Sequence, residues 1–200
     1  MIAHQIFSRG LQATLLGLLL AITAPAQDAG SGSTRQSPPE AAPPTGGSIY
    51  VPVPESVPAP VLQVQQWVAG SPLTLEQLKG KVVLLDMFQI ICPGCHAAHP
   101  HIVKMQQRYG REGLQVIGLA VAFEHQASQT PDRIQAYVKR NQFNFPVAID
   151  RKLTATFESY GARGTPYVAL LDRQGRLRHL DFYRPEVVEG IVEDLLKESE

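Results

Sequence analysis

The chain has 200 residues, 44% hydrophobic and 18% charged, which suits one globular domain with an appendage and is too short for two full domains. Eighteen basic side chains balance eighteen acidic ones, so the surplus of Lys and Arg that marks a nucleic-acid binder or a polybasic membrane-surface protein is missing, and nucleic acid is not an expected partner. Two cysteines cannot build a disulfide-dense scaffold, but Cys92 and Cys95 form a C-x-x-C pair, a spacing that does chemistry more often than it staples.

Residues 1–26 read as a secretory signal peptide. Arg9 precedes an apolar run from Leu11 to Ile22, and Ala24-Pro25-Ala26 offers a small-residue cleavage site after Ala26. The run falls short of the roughly twenty residues that span a bilayer as a helix. The rival reading is an uncleaved anchor that tethers the domain to a membrane, and no cysteine follows the run to carry a lipid. Both readings export the chain to a periplasmic or other extracytoplasmic space. Residues 27–60 are interleaved Pro, Gly, Ser and Ala with few large apolar groups, a composition that cannot offset its ordering entropy, so they are predicted to be a linker.

Residues 61–200 carry the pattern of a packed α/β domain. Val61 to Val68 alternates as a strand, and Thr74-Leu-Glu-Gln77 has capping-box spacing and opens a short helix ending near Gly80. Val82 to Phe88 is nearly continuous apolar sequence, the mark of a strand buried on both faces. A helix is predicted from about Pro93 to Arg108, a second buried strand from Leu114 to Phe123, and a helix starting at Thr130-Pro131. Phe145 to Ile149 is extended and Leu153 to Tyr160 helical. Tyr167 to Leu171 and Arg176 to Phe182 form an antiparallel hairpin across the turn Asp172-Arg-Gln-Gly175. Pro185 to about Glu198 closes the chain as an amphipathic helix with Val187, Val188, Ile191, Leu195 and Leu196 on one face.

The thiols sit where a buried strand ends and a helix begins. Unpaired amides and the positive end of the helix dipole favour a thiolate there, so Cys92 is expected to be the nucleophile. Cys95, one turn inside, would be shielded and would attack the mixed disulfide that Cys92 forms with a substrate. A purely structural cross-link would close a tiny loop, worth only about 2 kcal/mol by chain entropy.

Gly80-Lys-Val-Val-Leu-Leu-Asp-Met-Phe-Gln-Ile-Ile-Cys-Pro-Gly-Cys95, supported by Tyr160-Gly-Ala-Arg-Gly-Thr-Pro166 and the strand after it, resembles the thioredoxin superfamily and within it the exported TlpA/ResA-like thiol-disulfide oxidoreductases. The resemblance runs from about Pro60 to the C-terminus and implies a thioredoxin-like fold, with a central mixed sheet flanked by helices. It implies that Thr165-Pro166 is a cis peptide beside the active-site sulfurs, where an extended substrate segment could pair with it, together with Pro93 and Gly94. Pro100 matches the proline that kinks the family's active-site helix. Asp86 matches a carboxylate buried beneath the second cysteine, where it would accept a proton from Cys95 during exchange; the alternative is a strand-face carboxylate meeting solvent or a hydrogen-bond partner, and the two carry equal weight. Two departures bear on redox potential and partner choice rather than on reaction class: Ile91 stands where the family usually has Trp, and Pro93-Gly94 replaces Gly-Pro. The resemblance implies protein thiol or disulfide substrates, a membrane thiol reductant or oxidant as redox partner, and no cofactor beyond a redox-active Cys92–Cys95 disulfide.

The histidines open other readings. Cys92-Pro-Gly-Cys95-His96 is literally the attachment pattern of c-type haem, with Met105 or Met87 as a second axial ligand, but a cytochrome has no need of the buried strand before it or the Gly-Thr-Pro strand after it. The stronger alternative is a copper or zinc carrier using Cys92, Cys95, His96 and His99, whose spacing could put both histidines on one face with the thiols. Against it, His96, His99 and His101 read more simply as surface histidines, with protonated His96 supporting the thiolate. His125 and His179 are expected to face solvent. A peroxiredoxin-type peroxidase would need a Pro and a Thr upstream of its cysteine, and Met87 to Ile91 supplies neither.

Overall fold

The computed structural model describes residues 57–198. The predicted signal peptide and residues 27–56 of the predicted linker lie outside the described residues.

A seven-residue strand in which every side chain is buried must lie inside a sheet covered on both faces. Val82–Phe88 does so. It is β2 in the order β1 (Val64–Ala69), β2, α1 (Pro93–Tyr109), β3 (Leu114–Ala120), α2 (Pro131–Arg140), β4 (Val147–Asp150), α3 (Ala155–Ser159), β5 (Tyr167–Leu171), β6 (Leu177–Phe182) and α4 (Pro185–Lys197). The strands form one six-stranded mixed sheet in the order β1-β4-β3-β2-β5-β6. β2, β3 and β4 run parallel, while β1 and β5 run antiparallel to their inner neighbours. The β5–β6 hairpin is antiparallel around a turn in which Asp172 Oδ1 accepts from the amides of Gln174 and Arg176, and Gly175 takes φ +77°.

Alternation along β2 divides the core. Val82, Leu84 and Phe88 pack with α1, α2 and α4 through Ile102, Met105, Ile134, Val188 and Leu195. Val83, Leu85 and Met87 face the other way, onto Phe157 and Tyr160 beyond α3 and onto Leu78 in the segment before β2. Asp86 has the parity of Leu84 and Phe88, so strand geometry directs it to the α1 side. The Thr74–Gln77 capping box forms reciprocally: the Thr74 amide donates to Gln77 Oε1 at 2.9 Å and the Gln77 amide to Thr74 Oγ1 at 3.3 Å. It caps only a single 3-10 turn, Glu76–Leu78.

Two expectations need correction. The second buried strand stops at Ala120 rather than Phe123, since the chain turns away through an extended loop and a 3-10 turn at Gln126–Ser128. His179 does not face solvent: it is fully buried. The chain before β1 covers the outer edge of this strand, where Pro58 bridges Arg176 and the Leu177 amide donates to Val57 O at 2.8 Å. Burial holds the His179 imidazole below its ordinary pKa.

Candidate functional site

Cys92 ends the turn after β2 and is the N-cap of α1, with extended φ/ψ, and Pro93 takes the first helical position, where its missing N–H is no loss. The Cys95 amide donates to Cys92 Sγ at 3.2 Å, so the sulfur fills the role that a Ser or Asp oxygen usually fills at a helix start. Cys92 Sγ also lies 3.4 Å from Thr165 O, to which its thiol donates. Cys92 is half-buried and Cys95 fully buried, both as free thiols. Burial, then the hydrogen bond with Cys92 and the negative charge of Asp86, push the Cys95 thiol well above the ordinary range.

The Thr165–Pro166 peptide is cis and lies against the thiols. A methyl group at Gly94 would meet Pro166 Cδ at 3.0 Å and Cys92 Sγ at 3.8 Å, so the second intervening residue has no room for a side chain beneath the proline ring. Apolar side chains rim the opening: Ile91 is 37% exposed before Cys92, and Phe182, 43% exposed, packs over the backbone of Gly164.

Asp86 is fully buried, which resolves its two readings in favour of burial. The sequence reading missed what faces it. His99 is also fully buried, not a surface histidine, and its Nε2 stands 3.2 Å from Asp86 Oδ2 while Nδ1 meets the Tyr137 hydroxyl at 2.8 Å. The signal was available, because His99 follows Cys95 by four residues and so shares its helix stripe with Ala98, Ile102 and Met105. His96 sits on the exposed side of α1, where its Nε2–H donates to Ile90 O at 2.8 Å. His101 is exposed.

This separation corrects the metal alternative. One imidazole is tied to a backbone carbonyl and the other is turned into the core, so His96 and His99 do not join Cys92 and Cys95 around a common point. Among the described residues no three His, Cys, Asp or Glu side chains gather as they would around one metal ion. No helix among them is long and apolar enough to cross a membrane.

The Redoxin family model matches residues 54–194. Protein DipZ of Mycobacterium tuberculosis is 33% identical over 132 residues, which are 65% of this chain and 19% of DipZ, so the chain spans about a fifth of that relative's length. The thiol-disulfide oxidoreductase ResA of Halalkalibacterium halodurans is 27% identical over 128 residues, covering 64% of this chain and 68% of ResA. Among solved structures, a thiol-disulfide isomerase from Corynebacterium glutamicum superposes with a TM-score of 0.66 at 35% identity, covering 70% of this chain and 98% of that one.

Proposed function

The chain belongs to the Redoxin family, and on that premise we propose that it is an exported thiol-disulfide oxidoreductase that exchanges disulfides with protein substrates through Cys92 and Cys95. The single observation that carries this reading is the inequality of the two thiols: one half-buried at a helix N-terminus, the other fully buried one turn deeper. Thiol-disulfide exchange needs a sulfur that meets the substrate and a second that waits behind it.

Cys92 attacks a substrate disulfide and forms a mixed disulfide, releasing the first substrate thiolate. The Cys95 amide and the N-terminus of α1 favour negative charge on Cys92 Sγ. The substrate segment lies along the backbone edge at Thr165 and Pro166, near Pro93 and Gly94, with Ile91 and Phe182 offering apolar contact. Cys95 then gives its proton to Asp86 and attacks Cys92 Sγ. The bond to the substrate sulfur breaks, the second substrate thiolate leaves, and the protein holds a Cys92–Cys95 disulfide. A membrane thiol carrier resets the pair. Export is supported by the leader pattern of residues 1–26 and by the oxidising compartment in which such exchange has substrates.

A Cys95→Ser variant tests the assignment. Incubated with an unfolded protein that retains its disulfides, it should accumulate a covalent adduct on Cys92 that dithiothreitol releases, whereas Cys92→Ser should accumulate none. An adduct on Cys95 of the second variant, or none on the first while wild type still exchanges disulfides, would overturn it.

A further inference from the structure

A thiol as deeply buried as Cys95 holds its proton firmly, so resolution needs a base kept ionised out of water. Asp86 lies close enough for its charge to act on Cys95. Yet neither of its carboxyl oxygens accepts a hydrogen bond from the described residues, and a buried carboxylate without donors takes up a proton and ceases to be a base. What faces it is an imidazole: His99 Nε2 is in ion-pair contact at 3.2 Å, off the line of an aligned hydrogen bond.

His99 is held from several sides. Its ring lies edge-to-face with Phe88 at 5.0 Å between centroids and with Phe143 at 4.7 Å, and its Nδ1 is 2.8 Å from the Tyr137 hydroxyl. With Tyr137 donating to Nδ1, the proton of the neutral imidazole sits on Nε2 and faces Asp86; protonated, the ring presents a cation there, framed by aromatic groups that tolerate it. Three elements, β2, α1 and α2, thus supply one residue each to a line from the core to the Tyr137 hydroxyl.

We infer that His99 and Tyr137 are positioning residues for the resolving step: His99 keeps Asp86 ionised and turned to receive the Cys95 proton, and Tyr137 fixes which imidazole nitrogen faces the carboxylate. The inference deepens the oxidoreductase reading and rests on it. In the resolving step the Cys95 proton passes to the Asp86 carboxylate, the Cys95 sulfur lone pair forms the bond to Cys92 Sγ, and the Cys92–substrate bond breaks with its electron pair leaving on the substrate sulfur, which takes a proton from solvent. Two electrons pass from the two protein thiols to the substrate disulfide. The Asp86 proton returns to Cys95 when the pair is next reduced.

The groups that act on this unit are Cys92, Cys95 and His96 from α1, Tyr137 and Arg140 from α2, and Tyr183 ahead of α4, whose phenol feels Asp86, Glu186 and Glu189. None of these is altered by substituting His99 alone.

The test is the rate of resolution against pH. Reduced full-length protein is mixed with an excess of a disulfide-bonded cysteine peptide, and the first thiol released (capture by Cys92) is timed separately from the second (resolution by Cys95), between pH 5.5 and 9. At pH 7, His99→Leu should slow resolution about tenfold or more, the loss expected for a general base put out of use. Its rate should then climb with pH where wild type is flat, while capture stays unchanged. His99→Gln, which keeps a donor, should recover part of the loss, and Tyr137→Phe should shift the profile in the same direction by less. Adding His99→Leu to Asp86→Asn should cost nothing further, since both act through one carboxylate. A His99→Leu profile that overlays wild type, or a full additional loss on top of Asp86→Asn, overturns the inference. Should His99→Leu not fold, the Tyr137→Phe and His99→Gln profiles decide, and overlay of both with wild type overturns it. Absence of a capture phase in wild type would instead sink the oxidoreductase reading itself.

Discussion

At the scale of single residues, the site is a problem of room and proton supply. Gly94 is dictated by contact: a Cβ there would press on Pro166 at 3.0 Å and approach Cys92 Sγ. Gly94→Ala should therefore slow capture of a protein disulfide by about tenfold, because a displacement of an ångström or less between reacting groups is costly, while a small alkylating agent still reaches Cys92. Adduct formation by the Cys95→Ser protein with and without Gly94→Ala measures the first effect and iodoacetamide kinetics the second; equal slowing of both would mean that the substitution perturbs the thiol and not the substrate's path. Cys92, Cys95, Thr165 and Pro166 could be picked out before any coordinates because their spacing is local or their dipeptide is distinctive. His99 and Tyr137 could not, because a Cys–Asp–His–Tyr line assembles across three elements and sequence spacing between elements does not encode distance.

Among elements, β2 and α1 were legible because each carries its own periodicity: seven consecutive buried residues in one, a Cys95–Ala98–Ile102–Met105–Tyr109 stripe in the other. The edges of the sheet were less so. β6 reads as Leu-Arg-His-Leu-Asp-Phe, which suggests a solvated strand, yet Arg178 is fully buried. It is paired with Asp172 at 3.4 Å and with Glu198 beyond α4 at 2.7 Å. Asp172 also accepts from Arg176 Nε at 2.8 Å and from the turn amides, so one carboxylate joins the hairpin turn to the buried cation. Removing one member of a buried ion pair leaves the other uncompensated, and Asp172→Ala should cost about 3 kcal/mol. Glu198→Gln, at a more exposed carboxylate, should cost less than about 1 kcal/mol. Urea unfolding of the two variants beside wild type checks the order; equal costs would mean that the pair carries no buried-charge penalty.

For the whole molecule, the mixed sheet and its helical layers followed from composition and pattern, whereas strand order and the seating of residues 57–59 along β6 depend on long-range pairing that no window of sequence contains. That seating buries His179 and sets a pH dependence. The unfolded imidazole takes up a proton near its ordinary value of 6.5, and the folded one, lowered by burial, does so only at more acid pH. The native state therefore binds fewer protons across that window. The contribution of His179 is complete above about pH 6.5 and is lost as pH falls through the window below it. Denaturant midpoints from pH 7.5 to 5 should fall for wild type and fall less for His179→Gln; parallel curves would show that His179 is protonated alike in both states.

The central claim is that two thiols three residues apart differ in what can reach them. Reduced protein given a substoichiometric amount of iodoacetamide at pH 7, then digested and read by mass spectrometry, measures this directly. Cys92 should carry the label over Cys95 by at least about tenfold. Equal labelling of the two, or preference for Cys95, would contradict the account.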